Sequence, residues 1–335
     1  MKAQTQNTPF FLVGVQRSGT TLLRLMLNSH SQIAIPEEAS FLKPLLKPKW
    51  VNKKIAGENK KRIIGYLKEN EQFRLWNFDA TPFFQKLESK ISFSLKELIE
   101  LMYVSYAESE NKSIWGDKSL FFGSMQLLYE MFPGAKFVHI VRDGRDVFYS
   151  WRKMDPNKSH PSVMALDWKI KHRLIKKSLK IIPEQNLYQV RYKDLLNNPQ
   201  KELRRMCEFL GFEYEDQMIN FYETSNKYIG KHHSDLIFKA VDKENINKWE
   251  KLLSKEEQLI YQIVAKKPLL KYGYKLSPHK ITIKHYLLFL KDFSIGLPKR
   301  LVELIKVRLA FRRALRKGEA TRTIKVGDMP SESVK

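Results

Sequence analysis

Cysteine is almost missing from this 335-residue chain. The single thiol, Cys207, excludes an internal disulfide and any zinc site built from several cysteines. A chain so poor in cysteine fits a reducing compartment, and a cytoplasmic location is the expectation. No stretch approaches the ~18 to 20 consecutive apolar residues of a membrane span. The N-terminal MKAQTQNTPFFLVGVQRSGTT holds one short apolar run that leads straight into a glycine loop, without the architecture of a cleavable signal. Internal repeats are absent. Acidic residues are also scarce, 36 against 60 Lys and Arg, which leaves a formal charge of +24. Such an excess predicts anionic partners. Nucleic acid, anionic lipid and a phosphate-bearing small molecule all qualify, so charge alone does not choose among them.

What the chain does have is enough apolar material, 43% of its residues, to bury a large core. Phe10 to Val15 reads as a strand, Ser18-Gly19-Thr20-Thr21 as a turn, and Leu22, Leu23, Leu25 and Met26 as one face of a helix. The order repeats at Lys136 to Val141, where a strand turns at Arg142-Asp143-Gly144-Arg145-Asp146 into a helix over Val147 to Met154. A third strand, Asn186 to Tyr192, precedes a helix through Leu203, Met206, Phe209 and Leu210 that Gly211 closes. Strands alternating with helices imply an α/β, three-layer fold around a mainly parallel sheet. About residues 43 to 131 read as a helical cap inserted between the first two units, too long for a simple crossover. The expected division is a domain over 1–277, a basic helical extension over 278–317 and a disordered tail over 318–335.

Two loops carry the chemistry. Gly14-Val15-Gln16-Arg17-Ser18-Gly19-Thr20-Thr21 has the glycine spacing of a phosphate-binding Walker A loop, with Thr20 where the lysine belongs. Backbone N–H groups and a helix N-terminus still favour an anion there. The lost lysine is the group that spans β- and γ-phosphates, so the loop suits a shorter anhydride. Arg142 ends its strand on the side where open α/β sheets bind ligands, and Ser150 follows two helical turns later. An arginine fork with a hydroxyl is a clamp for a phosphate monoester. Asp143 and Asp146 read as carboxylates that complement a helix N-terminus, with Arg145 solvated or paired to one of them.

PFFLVGVQRSGTTLLRLMLNSH and FPGAKFVHIVRDGRDVFYSWRKM closely resemble the 5′-phosphosulfate and 3′-phosphate segments of sulfotransferases that use 3′-phosphoadenosine 5′-phosphosulfate (PAPS). The branch they resemble includes protein-tyrosine sulfotransferases and bacterial relatives, and the likeness extends through Trp115-Gly116-Asp117-Lys118 and Val190 to Leu195 as far as Tyr274. The resemblance implies a P-loop-like fold and in-line transfer of a sulfuryl group to an acceptor hydroxyl. It also implies release of adenosine 3′,5′-bisphosphate and no metal. It makes Arg17, Ser18, Gly19, Thr20 and Thr21 the phosphosulfate cradle and gives the 3′-phosphate to Arg142 and Ser150. Tyr192 and Lys248 match cofactor-contacting positions, Lys118 a lysine that neutralises transition-state charge, and the region of His233 and Ser234 a flap over the nucleotide. His30-Ser31-Gln32-Ile33-Ala34-Ile35-Pro36-Glu37-Glu38 resembles the segment whose second glutamate is the base, which points to Glu38. His30 is the rival, because another branch uses histidine. The protein-tyrosine branch has an arginine two residues past its glutamate where this chain has Ser40, so the acceptor stays open among carbohydrate, glycolipid, peptide tyrosine and small phenols.

From Pro278 onward the chain has 14 Lys or Arg against 5 Asp or Glu. Lys299 to Lys317 sets Leu301, Leu304, Ile305, Leu309 and Leu315 against Lys306, Arg308, Arg312, Arg313 and Arg316. This segment would lie on an anionic membrane, with Phe289 and Phe293 at the headgroups, or pack on the domain with a solvated basic face. The membrane reading would make the protein peripheral on the inner face. The oligomeric state is left open, a homodimer included. The rival functions are a P-loop kinase or NTPase, opposed by the missing lysine, and a nucleic-acid-binding protein, for which the chain has no recognisable module.

Overall fold

The apolar run after Pro9 forms β1 (Phe10–Val13) in the middle of a five-stranded sheet. The structure is a computed structural model and describes residues 8–119, 123–224 and 239–317. The other strands are β2 (Ile33–Ala34), β3 (Ile114–Asp117), β4 (Lys136–Val141) and β5 (Leu187–Arg191). Their spatial order is β2-β3-β1-β4-β5, and every neighbouring pair is parallel. Phe11 lies opposite Asp117 on one side and Phe137 on the other, while Val141 lies opposite Arg191.

Side chains of a strand alternate between faces, and here both faces are apolar and covered. Phe10, Leu12, Val138 and Ile140 join one core with Leu23 and Met26 of helix α1 (Thr20–Asn28). Phe11, Val13, Phe137 and Val141 join the other core with Leu98 and Met102 of α2 (Leu95–Ser109). The second face is further covered by Val147 of α3 (Gly144–Met154) and Trp168 of α4 (Pro161–Leu179). Helix α5 (Pro199–Leu210) lies on the first face and ends at Gly211, whose φ of 92° is a left-handed cap that glycine adopts without strain. Tyr261 of α6 (Lys255–Lys271) packs on the second face. The result is three layers around a parallel sheet, as the alternation of strands and helices implies.

The stretch read as a helical cap does more than cover the sheet. It contains short helices and the antiparallel pair Ile55–Ala56 with Ser92–Phe93, and it also contributes β3 to the central sheet between β2 and β1. The strand is only four residues long and half of it, Gly116 and Asp117, is of types depleted in sheets, which hides it from a pattern reading. Its glycine is there for a packing reason, since a Cβ on Gly116 would lie 2.4 Å from the Phe10 ring. The strand read as Phe10 to Val15 ends two residues earlier, at Val13, where the glycine loop begins.

The basic C-terminal segment forms α7 (Ile283–Lys317), 35 residues long. Its first half packs on α4 and α6. The Asp292 carboxylate accepts hydrogen bonds from the Ser162 amide at 3.0 Å and the Ser162 hydroxyl at 2.5 Å, and lies 2.8 Å from His160 Nδ1. Gly296 lets the helix approach closely, because a Cβ there would fall 2.7 Å from the His160 side chain. Phe289 and Phe293 stack on one another half-buried, rather than projecting outward as the membrane reading of the sequence has them. The expected tail over 318–335 lies outside the described residues.

Candidate active site

Each of the five strands delivers one candidate residue or loop at its carboxyl end. The Gly14–Thr21 loop follows β1, Glu38 comes four residues after β2, and Lys118, Arg142 and Tyr192 directly follow β3, β4 and β5. Parallel strands put these ends on one edge of the sheet, where open α/β sheets bind ligands. Strand order then sorts them, with Glu38 and Lys118 on one side of the glycine loop and Arg142 and Tyr192 on the other.

The loop needs its unusual backbone. Gly19 has φ 92°, and a Cβ on it would meet the Tyr192 ring at 2.4 Å, so the ring lies directly under the turn. Arg17 adopts φ 69°, a left-handed conformation that a non-glycine residue rarely takes and that marks functional turns. No side chain caps α1 at Gly19, which leaves the first amides of the helix to another acceptor. The Ser18 hydroxyl is buried and has no hydrogen-bond partner among the described residues.

On one side of the loop, the cations meet neutral groups. Arg17 Nε donates to Ser150 Oγ at 3.0 Å. The Arg142 guanidinium donates to the backbone carbonyls of Arg17 and Asn245, at 3.2 and 3.1 Å, and lies 4.3 Å from the Tyr192 ring centroid. Its Nε is buried without a hydrogen-bond partner among the described residues and forms a loose ion pair with Asp146 Oδ2 at 4.0 Å. Burial, and after it the neighbouring Arg142 charge, pushes the Arg17 pKa down from its ordinary value. Arg142 has only a loose ion pair with Asp146, and Arg17 has no carboxylate contact among the described residues, so the two adjacent guanidiniums keep positive charge for an incoming anion.

Asp146 does more here than complement a helix N-terminus. It accepts the amides of Asn247 at 3.1 Å and Trp249 at 2.9 Å, and so fixes the turn that carries Lys248. Burial raises its pKa to about 6, opposed by Arg142 and by those two amides. Arg145 is fully buried and structural. It pairs with Asp143 at 2.6 Å, donates to the Lys275 carbonyl and stacks 3.4 Å from the Trp249 ring centroid.

Across the loop the charges are matched internally. Lys118 is 2% exposed, and its ammonium donates to Glu38 Oε1 at 2.6 Å, while Glu38 keeps 22% exposure. The adjacent glutamate behaves differently, since Glu37 forms a buried ion pair with Arg24 of α1 at 2.7 Å. Breaking such a pair by removing one partner typically costs about 3–5 kcal/mol. Glu37 is thus a tie between loop and helix, and Glu38 the one facing outward. Backbone contacts hold Glu38 in place: Gln72 donates to its carbonyl at 2.8 Å, and the next amide, Ala39, donates to Ser119 Oγ at 2.6 Å. The Ser119 hydroxyl donates in turn to the buried Asp117 carboxylate, which also accepts from Tyr103. Burial raises the Asp117 pKa against these hydrogen bonds.

His30 sits elsewhere. Its Nδ1 accepts the Gln32 amide at 3.0 Å, which makes Nε2 the donor to the Glu213 carbonyl at 2.8 Å. Ser40 hydrogen-bonds Gln72 and is buried. Ser234 and its neighbours over 225–238 lie outside the described residues. Sequence reasoning passed over Asp117, Ser119, Gln72 and Asn245, whose roles come from contacts distant in the chain. Asp117 and Ser119 flank Lys118, the one local hint that was available. Among the described residues, no group of three or more His, Cys, Asp and Glu could hold a metal ion.

Residues 9–216 match the sequence profile of the sulfotransferase family. Protein-tyrosine sulfotransferase A of Caenorhabditis elegans is 26% identical over 260 residues, 73% of this chain and 62% of that protein. The omega-hydroxy-beta-dihydromenaquinone-9 sulfotransferase Stf3 of Mycobacterium bovis is 26% identical over 247 residues, 61% of this chain and 62% of its own length. The chain therefore spans less than two thirds of either relative. Among solved structures, the sulfotransferase domain of the Synechococcus PCC 7002 olefin synthase superimposes with a TM-score of 0.57 at 21% identity. That alignment covers 83% of this chain and 99% of the domain, and supports the fold.

Proposed function

The chain belongs to the sulfotransferase family, and from that premise we propose that it moves a sulfuryl group from PAPS to an acceptor hydroxyl by in-line displacement. One observation carries the choice of donor. Arg17 and Arg142 lie side by side with neutral hydrogen-bond partners and only a loose ion pair from Arg142 to Asp146, next to a buried Ser18 hydroxyl without a partner among the described residues and a helix N-terminus that no side chain caps. That donor set fits two anionic groups on one nucleotide. The Gly14–Thr21 loop would hold the 5′-phosphosulfate, and Arg142 with Ser150 the 3′-phosphate. Tyr192 and the Lys248 turn would line the nucleotide. When bound, PAPS supplies the sulfuryl group on a phosphosulfate anhydride.

The chain's own residues do the rest. Glu38 accepts the proton of the attacking hydroxyl, held in place by its backbone contacts to Gln72 and Ser119. Lys118 starts on Glu38 and is positioned to turn its charge towards the oxygens that become more negative during transfer, and Arg17 supplies a second cation. His30 is excluded from this role in our reading because both ring nitrogens are engaged away from the sheet edge.

For the acceptor, the reading favours a lipid-linked or carbohydrate hydroxyl over an acidic peptide tyrosine. Position 40 holds no cation but a serine locked to Gln72. One relative is named for a lipid quinol acceptor and another for tyrosine. The test is incubation with radiolabelled PAPS and fractionated cell extracts, followed by mass spectrometry of labelled products. The wild-type protein should label a hydroxyl-bearing acceptor. Arg17→Ala should lower turnover by about 100- to 1000-fold, the usual effect of losing a preorganised donor, without unfolding the protein. Unchanged turnover in that variant would sink the assignment.

A further inference from the structure

Helix α7 is amphipathic in an unexpected sense. Taking 100° per residue, His285, Asp292, Gly296, Arg300 and Glu303 share the face that packs on the domain. The opposite face carries Ile283, Leu287, Leu290, Leu301 and Ile305, each 51–79% exposed. A helix on the surface of a soluble domain ordinarily puts polar residues there. Here apolar residues face outward along more than 20 residues of helix, in two groups over 283–290 and 301–305 with the exposed Ser294 between them.

Ion pairs fix where that face lies. Besides the Asp292 contacts, Lys158 pairs with Asp155 at 3.0 Å and with Glu303, and Arg300 reaches Glu303 at 2.6 Å and Asp167 at 3.3 Å. Beyond Glu303 the packing stops. From Leu304 to Leu309 every residue is exposed, Leu304, Ile305, Val307 and Leu309 included, while the helix continues to Lys317. The anchored half thus holds the second half as an arm. By the same 100° per residue, Arg308 and Arg312 continue the outward face beyond Ile305, with Lys306 and Arg313 to one side of it, so the stripe ends in a basic segment, and the single acidic residue between 299 and 317, Glu303, is engaged in the anchor.

We propose that this arm docks the enzyme on an anionic lipid surface, the apolar residues entering the headgroup boundary and the basic end of the arm meeting lipid charge. Charge decides between this occupant and others. A second copy of the helix laid along this face would bury Arg308 and Arg312 against a segment whose one acidic residue over 299–317, Glu303, is already engaged, and a nucleic acid would leave the apolar residues without a partner. A negatively charged bilayer satisfies both features together.

Flotation of the full chain with vesicles tests it. The protein should float with phosphatidylglycerol–phosphatidylcholine vesicles, stay behind with phosphatidylcholine alone, and release as salt is raised. Leu301→Asp with Ile305→Asp, and separately Lys306→Glu with Arg308→Glu and Arg312→Glu, should each lower partitioning by about tenfold or more. Both sets lie on exposed positions and should leave Tm and sulfuryl transfer to a soluble acceptor unchanged. Three results overturn the proposal. One is recovery of the wild-type chain in the soluble fraction. Another is full vesicle binding by the Leu301/Ile305 variant. The third is a dimer by light scattering, without vesicles, that the same variant converts to monomer.

Discussion

The two sides of the glycine loop solve opposite electrostatic problems. Towards β4 and β5, Arg17 and Arg142 spend their donors on a serine hydroxyl and two carbonyls, and Asp146 stands 4.0 Å from Arg142 as the one carboxylate for two guanidiniums among the described residues, so positive charge is left over. Towards β3 and β2, Lys118 closes on Glu38, and the neighbouring Arg24 closes on Glu37. The first side is built for a ligand that brings its own negative charge. The second is balanced before anything binds, which suits a neutral hydroxyl that enters with its proton and leaves it behind.

The largest effect should come from the balanced side. Glu38→Gln keeps size and backbone contacts but removes the proton acceptor, and kcat should fall by about 100- to 10,000-fold, the range for a lost general base. Affinity for adenosine 3′,5′-bisphosphate, measured calorimetrically, should hold, because that ligand belongs across the loop. His30→Ala is the counter-variant. If it lowers kcat while Glu38→Gln does not, the two sides have been assigned wrongly.

A smaller effect, of the opposite kind, is expected at Arg142. Hydrogen bonds from a charged group are worth about 1.5–3 kcal/mol each, so Arg142→Ala should weaken adenosine 3′,5′-bisphosphate binding by roughly 10- to 100-fold. At saturating PAPS the loss in kcat should be modest. A variant that binds the nucleotide normally but turns over slowly would show that Arg142 serves the reacting group instead.

The same division explains what could be read from the sequence. The surplus-charge side was legible because its residues come in two contiguous runs, a glycine loop after one strand and Arg142 to Ser150 after another, each with its helix attached. Local spacing is enough for that. The balanced side is assembled from Glu38, Gln72, Tyr103 and Asp117 to Ser119, up to 81 positions apart, and the strand that presents Lys118 is four residues long with a glycine inside. Pattern reading took that strand for part of a helical cap. The outward stripe of α7 was half visible. The basic and apolar residues of 299–317 could be sorted by helical periodicity, but only packing showed that Phe289 and Phe293 turn from the outward face and that Glu303 ends the anchored half.

Strand β4 runs from one environment to the other within three residues, from His139 in the core to Arg142 at the sheet edge. His139 lies 5.8 Å, centroid to centroid, from His172 of α4, which packs edge-on to Trp168 and against Tyr272. Both His172 ring nitrogens and His139 Nε2 are buried without hydrogen-bond partners among the described residues. Burial lowers the His139 pKa to about 4 and the His172 pKa to about 3, from an ordinary value of 6.5. Depressed histidines stabilise the fold only while the unfolded chain is also neutral. Below 6.5 the unfolded chain takes up protons that the folded one refuses, so stability falls with pH until the folded pKa is reached. By about pH 5 this amounts to on the order of 2 kcal/mol per histidine. His172→Phe fills the same aromatic contacts with no titratable group. It should flatten the fall in Tm between about pH 7 and pH 5 by roughly half, with turnover at neutral pH unaltered. Thermal melts across that range decide it, and parallel curves for the two proteins would mean that the acid sensitivity lies elsewhere. A variant with the flatter curve but impaired turnover would tie the core end of β4 to its catalytic end, and the separation between packing and site along that strand would have to be given up.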